Sequence, residues 1–334
     1  MKIVITGGAG FIGMKLAQRL LDRGRLTEPD GREKTIEEIL LFDLAAPRAI
    51  DRRIKVATGD IADGATLRKV IDRNTTSVFH LAAVVSGQAE ADTDLGLRVN
   101  LDGTRAVLEA CRALGTRPRV VFASSVAVYG GDLPETVTDG TPLTPTTSYG
   151  TQKAIGELLV NDYSRKGFID GRALRLPTIS VRPGRPNRAA SGFASSIFRE
   201  PLSGVATSCP VARDAVMVLL SPRCVVSAFE RAHDLPAESF GAYRGLLLPG
   251  ISASVAEMVE ALRRAGGEKA VGLIRWEPDA AVQKMVAGWP RALRAERAER
   301  LGIKPDASLD EIVQGFIEDD LPGQKQLVAA AGGG

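Results

Sequence analysis

The chain is poor in the residues that most often carry metal, disulfide or catalytic-triad chemistry. It has two histidines and three cysteines among 334 residues. His80 lies in an apolar run and His233 is isolated, which argues against a histidine-based zinc site. A Ser-His-Asp hydrolase would need one of them as its base, and no G-x-S-x-G elbow accompanies either. Cys111, Cys209 and Cys224 cannot pair completely and show no C-x-x-C spacing, so a disulfide scaffold is excluded and reduced thiols in the cytoplasm are expected.

Charge of one sign is also missing. Lysine and arginine number 43 against 40 acidic residues, a balance of +3 that is no nucleic-acid footprint. The most basic stretch, Arg291 to Arg300, interleaves Glu296 and Glu299 and reads as a solvated helix face. No apolar run approaches the roughly 18 residues of a membrane span. The opening run breaks at Thr6-Gly7-Gly8, too early for a signal peptide. There is no internal repeat, and Ala329 to Gly334 reads as a frayed tail. Of the residues present, 44% are hydrophobic and 25% charged, enough for a large core in one elaborated domain or two.

The first half alternates short β-branched runs with helical patterns. Strands are expected at Ile3–Ile5, Ile39–Phe42, Ile54–Val56, Ser77–Leu81 and Arg119–Ala123, and helices at Phe11–Arg23, Leu67–Arg73 and Leu97–Leu114. That rhythm predicts an α/β fold with a doubly wound parallel sheet. Gly24 to Lys34, with Pro29 and Gly31, reads as an inserted loop. Beyond Leu174 the rhythm loosens. Residues 1–174 are expected to form a dinucleotide-binding domain, to which 211–232 and 243–265 return. Residues 175–210 and 271–320 would form a smaller, discontinuous substrate-binding lobe.

Thr6-Gly7-Gly8-Ala9-Gly10-Phe11-Ile12-Gly13 follows the first strand and opens the first helix. Such a turn lets backbone amides and a helix N-terminus approach a pyrophosphate. Gly7 permits the turn, Gly10 the close approach and Gly13 the packing of helix on strand; Phe11 and Ile12 open the helix at the same site. Asp43 closes the second strand, where a carboxylate accepts both adenosine ribose hydroxyls and repels a 2′-phosphate, favouring NAD over NADP. Arg48, close by, argues the other way. Asp60 and Ile61 after the third strand are candidates for the adenine end. Leu81, Ala82 and Ala83 after the fourth allow close backbone approach.

Tyr149 and Lys153 stand four apart on a segment that can run as a helix from Pro145 to Leu159, which puts them on one face. An ammonium beside a phenol favours the phenolate and would lower its pKa toward neutrality, making Tyr149 a general base for an alcohol. Ser125 closes the preceding strand, where its hydroxyl can bond the reacting oxygen.

TGGAGFIG, Asp43, HLAA, VNLDGT with Asn100, SSVAVYG and YGTQK occur in order. Over nearly its whole length the chain resembles the extended short-chain dehydrogenase/reductase family, which implies a Rossmann sheet and NAD. By that resemblance Tyr149 is the acid/base, Lys153 binds the nicotinamide ribose and tunes Tyr149, Ser125 orients substrate, and Asn100 orders the site. A homodimer through the helices Leu97–Leu114 and Ser148–Tyr163 is implied in the same way.

Within the family, dehydratases carry Asp-Glu where this chain has Val126-Ala127, and nucleotide-sugar epimerases carry an asparagine where it has Thr178. The run from Arg175 through Pro186-Asn187, Ser191 and Phe193 to Leu202 is similar instead to that of family members that oxidise a four-carbon sugar acid. This implies oxidation of D-erythronate at C2, giving 2-oxo-D-erythronate, without a metal. A small acid needs a cation, and Arg182 or Arg185 is the candidate. Thr178, Ser191 and Phe193 are expected along the pocket by resemblance. A nucleotide-sugar epimerase or reductase is the alternative, and a non-catalytic NAD sensor would not need Ser125, Tyr149 and Lys153 together.

Overall fold

The computed structural model describes residues 1–28, 31–47, 51–185 and 190–332. Pro29, Arg48, Pro186, Asn187 and the last two glycines of the tail lie outside the described residues.

Seven strands form one parallel sheet: β1 (Lys2–Thr6), β2 (Glu38–Asp43), β3 (Ile54–Thr58), β4 (Thr75–His80), β5 (Arg119–Ser125), β6 (Asp170–Leu176) and β7 (Gly245–Leu247), in the order β7-β6-β5-β4-β1-β2-β3. All five residues of β1 are buried, as a strand covered on both faces requires. Alternate side chains supply two cores. Ile3, Ile5, Ile39, Leu41 and Phe79 pack with Leu16, Leu20 and Phe229 on one face. Val4, Leu40, Phe42 and Val78 pack with Val107, Leu108 and Val160 on the other. The strand order reverses between β1 and β4, which opens a crevice beyond their C-terminal ends.

A third cluster lies apart from the sheet. It gathers Val181, Phe193, Phe198, Met217, Leu219, Met258, Leu262, Ile312 and Phe316 from segments far apart in sequence. Val216–Leu220 belongs here, not to the main sheet: it pairs with Thr178–Ile179 and Ile251–Ser254 in a three-stranded sheet. Helix Val255–Val271 also packs in this cluster through Met258 and Leu262. Apolar periodicity marks a buried strand or helix but does not say which core buries it.

Two further expectations are corrected. Gly24 to Lys34 is not a plain loop, because Arg25–Thr27 and Glu33–Thr35 form an antiparallel ladder and Leu26 is fully buried. Leu321–Gly332 is a helix, so residues 329–332 of the expected frayed tail continue regular structure. Its alanines, leucines, glutamines and lysine are good helix formers.

Candidate active site

The glycine turn between β1 and helix Phe11–Arg23 is shaped by backbone contact. Gly7 has φ +68°, and a Cβ there would lie 2.7 Å from the Ala82 amide nitrogen. At Gly13 a Cβ would lie 2.6 Å from the Gly7 carbonyl oxygen and 2.8 Å from Gly8 Cα. Gly10 differs: the one neighbour of a Cβ there is the Gly7 oxygen at 3.2 Å, so beyond it the turn is open. The helix has no side-chain cap and no acid in its first turn, which leaves the amides around half-buried Phe11 and Ile12 for an anion. An open, acid-free helix N-terminus against a bare glycine turn fits a dinucleotide pyrophosphate.

Asp43 ends β2 and accepts from the amides of Ala9 (3.0 Å) and Leu44 (2.7 Å), so it ties the glycine turn to the neighbouring strand. A carboxylate at that point suits ribose hydroxyls and disfavours a phosphate. Asp60 accepts from Ala62 at 2.9 Å and pairs with Arg98, while Ile61 is buried against Gly103. Leu81 donates to the Thr6 carbonyl at 3.0 Å, which holds Leu81, Ala82 and Ala83 beside the turn. His80 is locked between Thr6 (2.7 Å) and Thr104 (2.9 Å), and burial, with the Lys153 charge, pushes its pKa down to about 3.

Helix Ser148–Arg165 presents Tyr149 and Lys153 toward the end of β5. Lys153 Nζ donates to the Ala123 carbonyl at 2.7 Å and lies 5.6 Å from the Tyr149 ring centroid. Burial lowers Lys153 to about 7, against the charge of Glu157. Tyr149 is pushed up to about 12 by burial, opposed by a hydrogen bond with Ser125 and the charge of Arg182. The Lys153 amine lies over the ring face and bonds a carbonyl, while loss of water raises the phenol, the opposite direction to the expected lysine effect.

Asn100 lies in a π-helical stretch, Leu97–Asp102, and is 1% exposed. Its Oδ1 accepts from Val84 N at 2.9 Å and its Nδ2 donates to Gln152 Oε1 at 2.8 Å. It thus joins the segment after β4 to the tyrosine helix. Such widened turns recur at functional sites.

Sequence reasoning missed a buried network behind Lys153. Glu157, one turn on from the lysine, accepts from Arg175 Nε and Nη2, from Ser124 Oγ at 2.5 Å and from the Tyr243 hydroxyl at 3.0 Å. Arg175 also donates to the Tyr129 hydroxyl at 2.7 Å. The spacing Tyr149-Lys153-Glu157 was the available signal, since three such residues share one helix face.

Arg182, the expected carboxylate anchor, is held by neighbouring serines. Its Nη2 donates to Ser191 O (2.9 Å) and Ser191 Oγ (3.1 Å), and its own amide donates to Ser195 Oγ at 3.0 Å. Among the described residues no carboxylate pairs with this guanidinium. Burial and the charge of Arg199 lower it to about 10, with Tyr149 acting in the opposite sense. Thr178 is half-buried in the small sheet, Arg185 is exposed, and Phe193 is buried in the third cluster. Lys153 thus lies beside Tyr149, the Ser125 hydroxyl and the Arg182 charge both act on the phenol, and Ser191 holds Arg182. Thr178 and Phe193 touch none of these by hydrogen bond.

No group of metal-ligating side chains occurs among the described residues, and no helix there is long and apolar enough to cross a membrane. Residues 3–217 match the NAD dependent epimerase/dehydratase family. A D-erythronate dehydrogenase of Cupriavidus necator is 57% identical over 96% of this chain and 98% of its own length. A D-erythronate dehydrogenase of Haemophilus influenzae is 43% identical over 96% of this chain and 100% of its own. A solved structure described as a nucleoside-diphosphate-sugar epimerase from Agrobacterium tumefaciens is 45% identical, with a TM-score of 0.90 over 97% of this chain and 96% of that one.

Proposed function

The chain belongs to the NAD dependent epimerase/dehydratase family, and from that premise we propose that it is an NAD-dependent dehydrogenase of a small sugar acid. The reaction is oxidation of the C2 hydroxyl of D-erythronate to 2-oxo-D-erythronate. The observation that carries this is the Arg182 guanidinium, which is held by Ser191 and Ser195, has no acid partner among the described residues and carries a charge that favours the ionised Tyr149 phenol. A 2-hydroxy acid matches that pair, with its carboxylate on the guanidinium and its neighbouring hydroxyl at the phenol.

Gly7, Gly10, Gly13 and the amides of Phe11 and Ile12 would hold the NAD pyrophosphate, and Asp43 the adenosine ribose. Asp60, Ile61 and the backbone at Leu81, Ala82 and Ala83 would flank the rest, with Asn100, Tyr149 and Lys153 toward the nicotinamide end. NAD, when bound, supplies the oxidant that accepts the electron pair and hydrogen leaving C2. Tyr149 takes the hydroxyl proton, and Ser125 donates to the oxygen as charge builds on it. Arg182 fixes the carboxylate, held in aim by Ser191 and Ser195. Because burial holds the Tyr149 phenol high, at about 12, oxidation should accelerate as pH rises above neutrality.

We assign the cofactor to the seven-stranded sheet and the substrate's acid end to the third cluster. The three cysteines are free, which fits a reducing compartment such as the cytoplasm. Leu97 and Leu158 are exposed on the helices expected to pair in a dimer.

Appearance of reduced nicotinamide absorbance with NAD and a panel of four- to six-carbon sugar acids tests the reading. Turnover on D-erythronate is expected, with Tyr149→Phe lowering kcat by about 10²–10⁴ while NAD still binds. Silence on every acid, with conversion of a nucleotide sugar and no net reduced cofactor, would reassign the chain to the epimerases.

A further inference from the structure

Among the described residues, Gln324 of the helix Leu321–Gly332 makes a polar clasp onto the segment that follows Arg182. Gln324, 7% exposed, accepts from the Gly184 amide through Oε1 at 2.7 Å and donates to the Gly184 carbonyl through Nε2 at 3.2 Å. One side chain thus satisfies both backbone groups of one residue, across 140 positions of sequence. Gly184 has φ +91° and stands two residues after Arg182. At the other end of the same turn, the Gln324 amide bonds the Asp320 carbonyl at 2.9 Å, and the Asp320 carboxylate pairs with Lys15 Nζ at 2.9 Å. Lys15 lies on the helix that opens with the glycine turn.

A continuous chain of contacts therefore runs from the cofactor helix through Lys15, Asp320 and Gln324 to the backbone beside Arg182. We propose that Gln324 is a positioning residue that sets where the Arg182 guanidinium stands relative to the cofactor cleft, and so governs affinity for the acid end of the substrate. This rests on the reading that Arg182 takes the substrate carboxylate. Arg182 is otherwise steadied by Ser191 and Ser195, which lie on its own side of the cleft. Gln324 alone refers the loop to the cofactor helix among the hydrogen bonds of Arg182, Gly184 and their neighbours described above. A fixed separation between carboxylate anchor and oxidant is what a short, rigid substrate demands.

The test is Gln324→Ala, with Lys15→Met as an independent break in the same chain. Three quantities are read: amide hydrogen exchange at Gly184, KM against kcat for D-erythronate, and NAD affinity. For Gln324→Ala, exchange at Gly184 is expected to speed up at least tenfold, since the amide loses the acceptor it has among the described residues. KM should rise about tenfold, on the order of two lost hydrogen bonds, with kcat and NAD affinity within twofold of wild type. Gln324→Glu keeps the acceptor and loses the donor, so it should recover part of the protection. Lys15→Met should raise KM in the same direction by less. Unchanged exchange, or faster exchange on an active enzyme with unchanged KM, overturns the proposal. So does a loss of NAD affinity as large as the rise in KM, which would make Gln324 a general stability residue. If Gly184 loses protection while even the wild type ignores D-erythronate, the functional reading fails and the clasp survives.

Discussion

The two sides of the proposed active site are held by different kinds of contact. On the cofactor side the shape is made mostly of backbone: the glycines at 7, 8 and 13 press against one another and against Ile5, Leu41, Leu81 and Ala82. On the substrate side the shape is made of side chains. Arg182 leans on two serines, and its loop is clasped by a glutamine from the far end of the chain. A backbone-built site has little freedom to drift, because each glycine is required by its neighbours. A side-chain-built site can be rebuilt for another substrate without disturbing the sheet. The relatives fit this contrast: one fold carries proteins described as acid dehydrogenases and as a nucleotide-sugar epimerase.

The contrast breaks most visibly at Gly7. A β-branched residue is a poor occupant of φ +68°, and its Cβ would meet backbone at 2.7–2.9 Å on the strand-end segment Leu81–Ala82. Gly7→Val should abolish NAD binding, measured by calorimetric titration. Retained affinity would mean that the turn is more pliant than its contacts imply.

Arg182→Met asks the converse. Removing a charge-assisted partner of the carboxylate should raise KM roughly ten- to hundredfold, and NAD affinity should stay as it was. The same change withdraws a positive charge that favours the ionised phenol of Tyr149, so the alkaline rise in rate should move to higher pH. An unshifted profile with unchanged KM would remove Arg182 from the site altogether.

What was legible in the sequence follows the same division. The boundaries of helix Phe11–Arg23, the place of Asp43 and the Tyr149–Lys153 register are set by local spacing, and the structure has them where that spacing put them. The small sheet and the clasp at Gly184 depend on partners far apart in sequence, and no local pattern announces them; Glu157 lies in register one turn beyond Lys153, but that spacing does not show its partners Arg175 and Tyr243. The direction of the Tyr149 shift lies beyond local spacing for a related reason. A spacing shows which residues meet, but burial decides how strongly a meeting counts.

The smallest expected effect concerns acid, and it falls on the sheet side. The chain has two histidines, and both are buried beside the parallel strands; the third cluster contains neither. His233 bonds Ser77 Oγ at 2.8 Å and stacks on Phe79. Burial lowers its pKa to about 4; Asp234 opposes that shift, while Arg119 and Arg172 add to it. With an unfolded value of 6.5, the unfolded chain binds the extra proton first as pH falls. Stability is therefore full above about 6.5 and is lost between there and about 4, at about 1.4 kcal/mol per pH unit. His233→Gln keeps a partner for Ser77 and removes the titration. Between pH 6 and 5 the unfolding equilibrium of the wild type should shift about tenfold more than that of the variant. His80, untouched in both, continues to contribute its own acid loss. Denaturant melts across that range decide it, and parallel pH slopes would show that His233 is already charged in the folded sheet.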